Sequence, residues 1–175
     1  MELMRLQVTD NTWTQLESDW TAQCQQIGDD PENYAPSSMA IIRSMASTDT
    51  PDEWAVALKS GERFMAIASA VRTVQKGFTG KVLRIREVTV CPLLDYGNLS
   101  ENDYVDTLIG LLNGAVKLSE SSLRAKNIKM HLRSPADAVF FRAVGNTLDS
   151  QGVFEETATH GAWLSFVKHS PVRGV

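Results

Sequence analysis

From Leu93 to Asp106 the sequence reads LLDYGNLSENDYVD, a polar loop running into an acidic segment, and it follows the alternating run Ile85–Val90 (IREVTV). A loop between a strand and a helix start is a natural place to hold a phosphate, because unpaired backbone N–H groups point outward there. Close approach takes glycines, and the charge is best met by a helix dipole together with a basic side chain. This loop has one glycine, Gly97, and no Lys or Arg occurs between Arg86 and Lys117. The span instead carries Glu87, Asp95, Glu101, Asp103 and Asp106. Ser100 and Asp103 have the spacing of a capping box, in which side chains take the helix-start donors for themselves. A second helix start follows Arg133-Ser134, with Ser134 as N-cap. There Arg133 supplies the positive charge that the first start lacks.

Other reactive residue types are scattered. Cys91 stands at a strand end with no histidine placed to activate it, so a buried thiol is expected. Cys24 lies in a different kind of element, and two distant cysteines in a chain of this size do not read as a disulfide framework. His131, His160 and His169 form no ligand pair with either, so no metal site is expected. Arg72, Lys76, Lys81, Arg84 and Arg86 gather on one predicted hairpin. A solvated charged face is the ordinary outcome of such a cluster; the sharper reading is a docking surface for an acidic partner, centred on Arg84 and Arg86.

These residues need a scaffold, and 175 residues suit one domain with a substantial core. We expect a single domain over residues 1–170 and a loose tail over 171–175. Hydrophobic residues make up 43% and charged residues 22%, ordinary values for a globular chain. The formal net charge of −4 argues against nucleic acid as partner. No apolar run approaches the ~20 residues of a membrane span. The N-terminal MELMRLQVTDN does not read as a signal peptide, which leads us to expect an intracellular, cytoplasmic protein.

Periodicity supplies the elements. Met4–Val8 alternates as a strand. Trp13, Leu16, Trp20, Cys24 and Ile27 mark one face of a helix ending near Gly28, with Asn11 or Thr12 as N-cap. A short helix holds Met39, Ile42 and Met45. Glu53–Ser60, Arg63–Val74 and Lys81–Val90 read as a three-stranded meander with turns at Gly61-Glu62 and Gly77–Gly80. Tyr104 through Val116 is a long amphipathic helix, Ile128–Leu132 a strand, and Ala136–Gln151 a helix stopping at Gly152. Two strands, Val153–Thr159 and Ala162–Lys168, close the chain. The order is β-α-α-β-β-β-α-β-α-β-β, a mixed α/β domain.

This order resembles the GNAT superfamily of acyl-CoA-dependent N-acyltransferases. Ile85–Pro92 (IREVTVCP) is similar to its fourth strand. The segment around Phe140-Phe141 and Gly152-Val153-Phe154 resembles its later helix, and HGAWLSFVK its closing strand. The resemblance implies a mixed, mostly antiparallel sheet whose fourth and fifth strands splay apart, with helices on both faces. It implies an acetyl-CoA site in which Val88, Thr89 and Val90 flank the pantetheine arm. The pyrophosphate would lie at the loop of Gly97, or at Arg133 and Ser134. It further implies Glu87 as general base, on one strand face with Ile85 and Thr89. Phe141 stands where the family often has the tyrosine that protonates the departing thiolate, which leaves Tyr96 or Tyr104 as substitutes. Leu93, Leu94 and Tyr96 are candidates to fill the wedge with the protein's own side chains.

Two functions are therefore compatible with the sequence. One is a GNAT-like domain without catalysis, serving as a binding or structural module in a macromolecular assembly. Such relatives occur as components of phage particles, and the protein would then be virion-associated. The other is an acyl-CoA-dependent N-acetyltransferase with a divergent cofactor loop. A protein partner or assembly is expected, no membrane, and homo-oligomerisation stays open.

Overall fold

The computed structural model describes residues 1–132, 135–150 and 152–169, without the side chains of 135–138 and 147–150. The elements are β1 (Glu2–Leu6), α1 (Thr12–Ile27), α2 (Pro36–Ala46), β2 (Glu53–Ser60), β3 (Arg63–Val74) and β4 (Lys81–Val90). Then come α3 (Pro92–Asp95), α4 (Glu101–Glu120), β5 (Asn127–His131), α5 (Pro135–Ser150), β6 (Glu156–His160) and β7 (Trp163–Val167). The meander strands β2, β3 and β4 have the expected bounds. The first strand starts two residues earlier than its alternation suggested, because Leu6 is its buried end and pairs with Ala55, whereas Val8 is exposed. The short helix α3 lies where the sequence pattern predicts only loop.

Among the described residues seven strands form one sheet in the order β1-β2-β3-β4-β5-β7-β6. Its pairings are antiparallel except β4 with β5, which run parallel. That parallel pair is short, from Val82 opposite Asn127 to Ile85 opposite Met130. Beyond Ile85 the fourth strand continues alongside β3 only, so β4 and β5 part and leave a wedge.

Both sheet faces carry helices. Trp13, Leu16, Trp20 and Cys24 are the buried stripe of α1, which ends at Gly28 with φ 73°. The Asp29 N–H reaches back to the Cys24 carbonyl at 3.0 Å, the hydrogen bond that closes such a left-handed cap. The packing of α1 and α2 falls on β1 to β4. On the opposite face, α4 lies so close to β1 and β2 that Gly110 faces Leu58 and Gly114 faces Leu3. A Cβ at Gly114 would sit 2.4 Å from the Leu3 Cβ, so only glycine fits that approach. Gly145 of α5 faces Thr157 and Leu164 on the same side.

Candidate functional site

The wedge begins at a β-bulge. The register between β3 and β4 shifts between Ile67 and Ser69, so that Glu87 and Val88 together oppose Ala68. Glu87 takes up the extra residue with φ 52°, a left-handed conformation uncommon outside glycine. An inserted residue reverses the side-chain alternation beyond it. Ile85 pairs with Ala70 and Val90 with Ala66, which puts those two on one face, while Thr89, opposite Ile67, lies on the other. The expectation that Ile85, Glu87 and Thr89 share one face is thereby corrected. The Glu87 side chain is 29% exposed, and its carboxylate lies 3.7 Å from the Arg86 guanidinium.

The three residues expected to flank an acyl-carrier arm are differently disposed. Val88 and Val90 are half-buried, and Thr89 is buried with its hydroxyl donating to the Glu87 carbonyl at 3.3 Å. The Val90 carbonyl accepts a hydrogen bond from the Tyr34 hydroxyl at 2.6 Å. Burial holds the Tyr34 phenol well above its ordinary range, so it remains a donor. Tyr34 was not singled out from sequence; its only signal is an aromatic residue in the otherwise polar loop DDPENYAPSS.

After Val90, backbone amides are consumed one by one. Cys91 N–H donates to the Met65 carbonyl at 2.8 Å. Leu93 N–H faces Gln23 Oε1 at 3.4 Å, and Leu94 and Asp95 N–H both reach the Cys91 carbonyl. Tyr96 N–H donates to Pro92, Gly97 to Leu94, and Asn98 and Leu99 to Leu93. Ser100 N–H donates to Asp103 Oδ2 at 3.0 Å, and Asp103 N–H returns to Ser100 Oγ at 3.2 Å, which completes the capping box. Each of the eight consecutive amides from Leu93 to Ser100 thus has an acceptor within the chain. Gly97 has φ 75°, and its freedom serves the turn after α3. The amides from Leu93 to Ser100 as folded thus offer a pyrophosphate no free donor.

Buried polar groups lock this arrangement from behind. Gln23, 2% exposed, donates through Nε2 to Asp19 at 3.0 Å, and Asp19 also accepts the Phe64 N–H at 2.7 Å. Leu93 and Leu94 are buried, and α3 packs against α1. Tyr96 is 55% exposed and lies on the surface, where its hydroxyl donates to Asp29 Oδ2 at 2.7 Å. That hydrogen bond raises its pKa above the ordinary phenol range. Its ring faces Tyr34, which in turn meets Trp20 edge-on at 5.7 Å. Tyr96 is thus tied to the end of α1 and does not fill the wedge. No hydrogen bond links it to Glu87 among the described residues, so the two residues put forward for catalysis are bonded to different partners. Arg133 and Ser134, the alternative anion site, lie outside the described residues, as does the tail.

Cys24 and Cys91 are both free and buried, and burial pushes the Cys91 thiol up to about 11. Phe141 is buried against Phe140 at 5.3 Å, an edge-on aromatic pair. Among the described residues no group of three His, Cys, Asp or Glu side chains is placed to hold a metal ion, and no helix is long and apolar enough to cross a membrane.

The parallel β4–β5 pair, the bulge before the wedge, and helices on both faces of a mostly antiparallel sheet define a GNAT-like fold. No protein-family model matches the sequence, and no curated protein matches it. Among solved structures, the chain is similar to the aminoglycoside 6'-N-acetyltransferase from Enterococcus faecium, with TM-score 0.47 and 13% identity over 98% of this chain and 99% of that one. It is also similar to an aminoglycoside 6'-N-acetyltransferase complexed with coenzyme A, with TM-score 0.43 and 12% identity over 98% and 99%. A third similarity is to Escherichia coli ElaA, with TM-score 0.40 and 13% identity over 96% and 99%.

Proposed function

We propose that this GNAT-like domain serves as a non-catalytic binding or structural module and does not grip acyl-CoA in the manner its resemblance implies. The observation that carries this reading is the closed set of amides from Leu93 to Ser100, followed by a helix start already capped by Ser100 and Asp103. An incoming pyrophosphate seeking those amides would have to break their hydrogen bonds and then meet Asp95, Glu101 and Asp103, where the neighbouring cation is Arg63 at the start of β3, already beside Asp103. A typical intramolecular hydrogen bond contributes about 0.5–1.5 kcal/mol net, so giving up several would weaken the cofactor's grip.

Glu87 is the one observation that favours the alternative, an N-acetyltransferase with a divergent loop. A carboxylate held at positive φ where two strands part is the kind of strained position that functional sites retain.

Thermal unfolding with acetyl-CoA separates the two. A ligand at ~100 times its dissociation constant adds ~2.7 kcal/mol of stability. We expect no shift at millimolar acetyl-CoA and no thiol release against a panel of amines. A clear rise in melting temperature, with turnover lost in Glu87→Gln, would establish the enzyme.

A further inference from the structure

On the side of the sheet that α1 and α2 cover over β1 to β4, their packing stops short of β5, β7 and β6. Strand register tells what this open face carries. Arg84 is beside Lys129, Lys129 is opposite Ser165, His131 is opposite Trp163, and Trp163 is opposite His160. The Trp163 ring is the centre of the group. The Arg84 guanidinium lies 5.1 Å from its centroid, the Lys129 ammonium 4.9 Å, and the His131 ring 4.8 Å edge-on. Phe78, from the β3–β4 turn, closes over Lys129 at 5.4 Å.

Two cations therefore meet at one indole ring, and among the described residues neither has a carboxylate within 4 Å. Arg84 Nε is buried without an acceptor. The neighbouring acids are engaged or peripheral. Glu87 pairs with Arg86 and Glu155 with Lys126 at 3.4 Å, while Glu156 is exposed on the outermost strand. Burial and the nearby Arg84 both depress the Lys129 pKa. An adjacent cation pair costs stability that an incoming anion would return.

We propose that this face docks an acidic segment of a protein partner, whose carboxylates lie between Arg84 and Lys129 over Trp163. The inference rests on the module reading and names the chemistry of the partner. A peptide fits better than nucleic acid, because a charge at every backbone position would meet Glu156 and Glu155 as well as the cations. It fits better than a lone small anion, because the face runs openly from the Phe78 turn to the exposed His160-Gly161 turn.

The test is NMR titration at low ionic strength, following the Trp163 indole N–H. The probe is a blocked peptide with sequence Gly-Ser-Glu-Glu-Ser-Gly, with its Gln-Gln counterpart, inorganic phosphate and a single-stranded oligonucleotide as comparisons. We expect the Glu-Glu peptide to shift the Trp163 resonance and the Gln-Gln peptide to leave it unmoved. Binding should weaken about tenfold or more in Lys129→Gln and in Arg84→Gln. It should be unchanged in Lys117→Gln, an exposed cation on α4. Lys129 is half-exposed, so its variant decides the matter if Arg84→Gln fails to fold. Absence of a shift with the Glu-Glu peptide overturns the proposal, as does binding that survives both substitutions. So does phosphate or oligonucleotide binding at least as tight. An acetyl-CoA thermal shift would instead overturn the module reading and leave these outcomes as they are.

Discussion

The Tyr34 hydroxyl donates to the Val90 carbonyl at 2.6 Å across 56 residues of sequence. This one bond fastens the loop after α1 to the last residue of β4, well beyond Ile85, where the strand leaves its parallel neighbour. Tyr34→Phe removes the donor and leaves a part-buried carbonyl unpaired, while the ring can still pack against Trp20. A loss of about 1–3 kcal/mol is expected, read as a lower urea midpoint at unchanged slope. No change would mean that water replaces the phenol without cost.

Glu87 should respond to backbone conformation more than to side-chain chemistry. Its φ of 52° is costly for any residue with a Cβ and free for glycine. Glu87→Gly is expected to be neutral or stabilising by up to ~1 kcal/mol, and Glu87→Val, β-branched, destabilising by more than ~1 kcal/mol. Equal destabilisation by both in thermal melts would contradict the bulge as the site of strain.

Close approach of α4 to β1 makes Gly114→Ala costly despite alanine's better helix propensity. The added Cβ would lie 2.4 Å from that of Leu3, so β1 must move. Overpacking of this kind costs about 1–3 kcal/mol. Leu3→Gly, which removes the Cβ in the way, should recover part of that loss in the double variant, and a purely additive double variant would count against the contact.

The capping box gives a pH signature. Hydrogen bonds from Ser100 hold the Asp103 carboxyl below its ordinary range. A carboxyl depressed on folding contributes stability that is fully present above its unfolded pKa, about 3.9, and is lost as pH falls through the lower folded value. Asp103→Asn should therefore be less stable than the parent at neutral pH, with the difference vanishing in strong acid. A difference that grows on acidification would have the wrong sign.

Burial of the two thiols gives the opposite sign. Cys91, pushed up to about 11, keeps its proton well above the pH at which it titrates in an unfolded chain, about 8.5. Its contribution is complete below that value and fades as pH rises through the folded one. Both cysteines should resist alkylation at pH 8.5 in the native protein and react promptly in denaturant. Rapid native labelling of Cys91 would place it on the surface.

The alternation of Glu53–Ser60, Arg63–Val74 and Lys81–Val90 was legible as strands because each is a long run of β-favourable residues bounded by glycine turns. The helices followed from three- and four-residue spacing, and the Ser100–Asp103 box from local spacing alone. The short helix α3 was not legible, since four residues carry no periodicity and its stability comes from Leu93 and Leu94 packing toward α1. Gln23 and Tyr34 were not legible either, because their partners are 70 and 56 residues away. The basic hairpin was half legible. Arg84 and Arg86 do share a face, but Arg72 pairs opposite Leu83 on the other and is bound to Asp52. Lys129 and Trp163, which give Arg84 its surroundings, come from strands far along the chain.

The sequence by itself determined the element order, the acidic capped start of α4 and the lack of a cation between Arg86 and Lys117, all properties of residues within a few positions of one another. Tertiary structure decided whether the amides of Leu93 to Ser100 were free, on which face Thr89 stands, and which cations meet. Those outcomes turn on one inserted residue in a strand and on contacts across half the chain, where packing and not local spacing selects the partner.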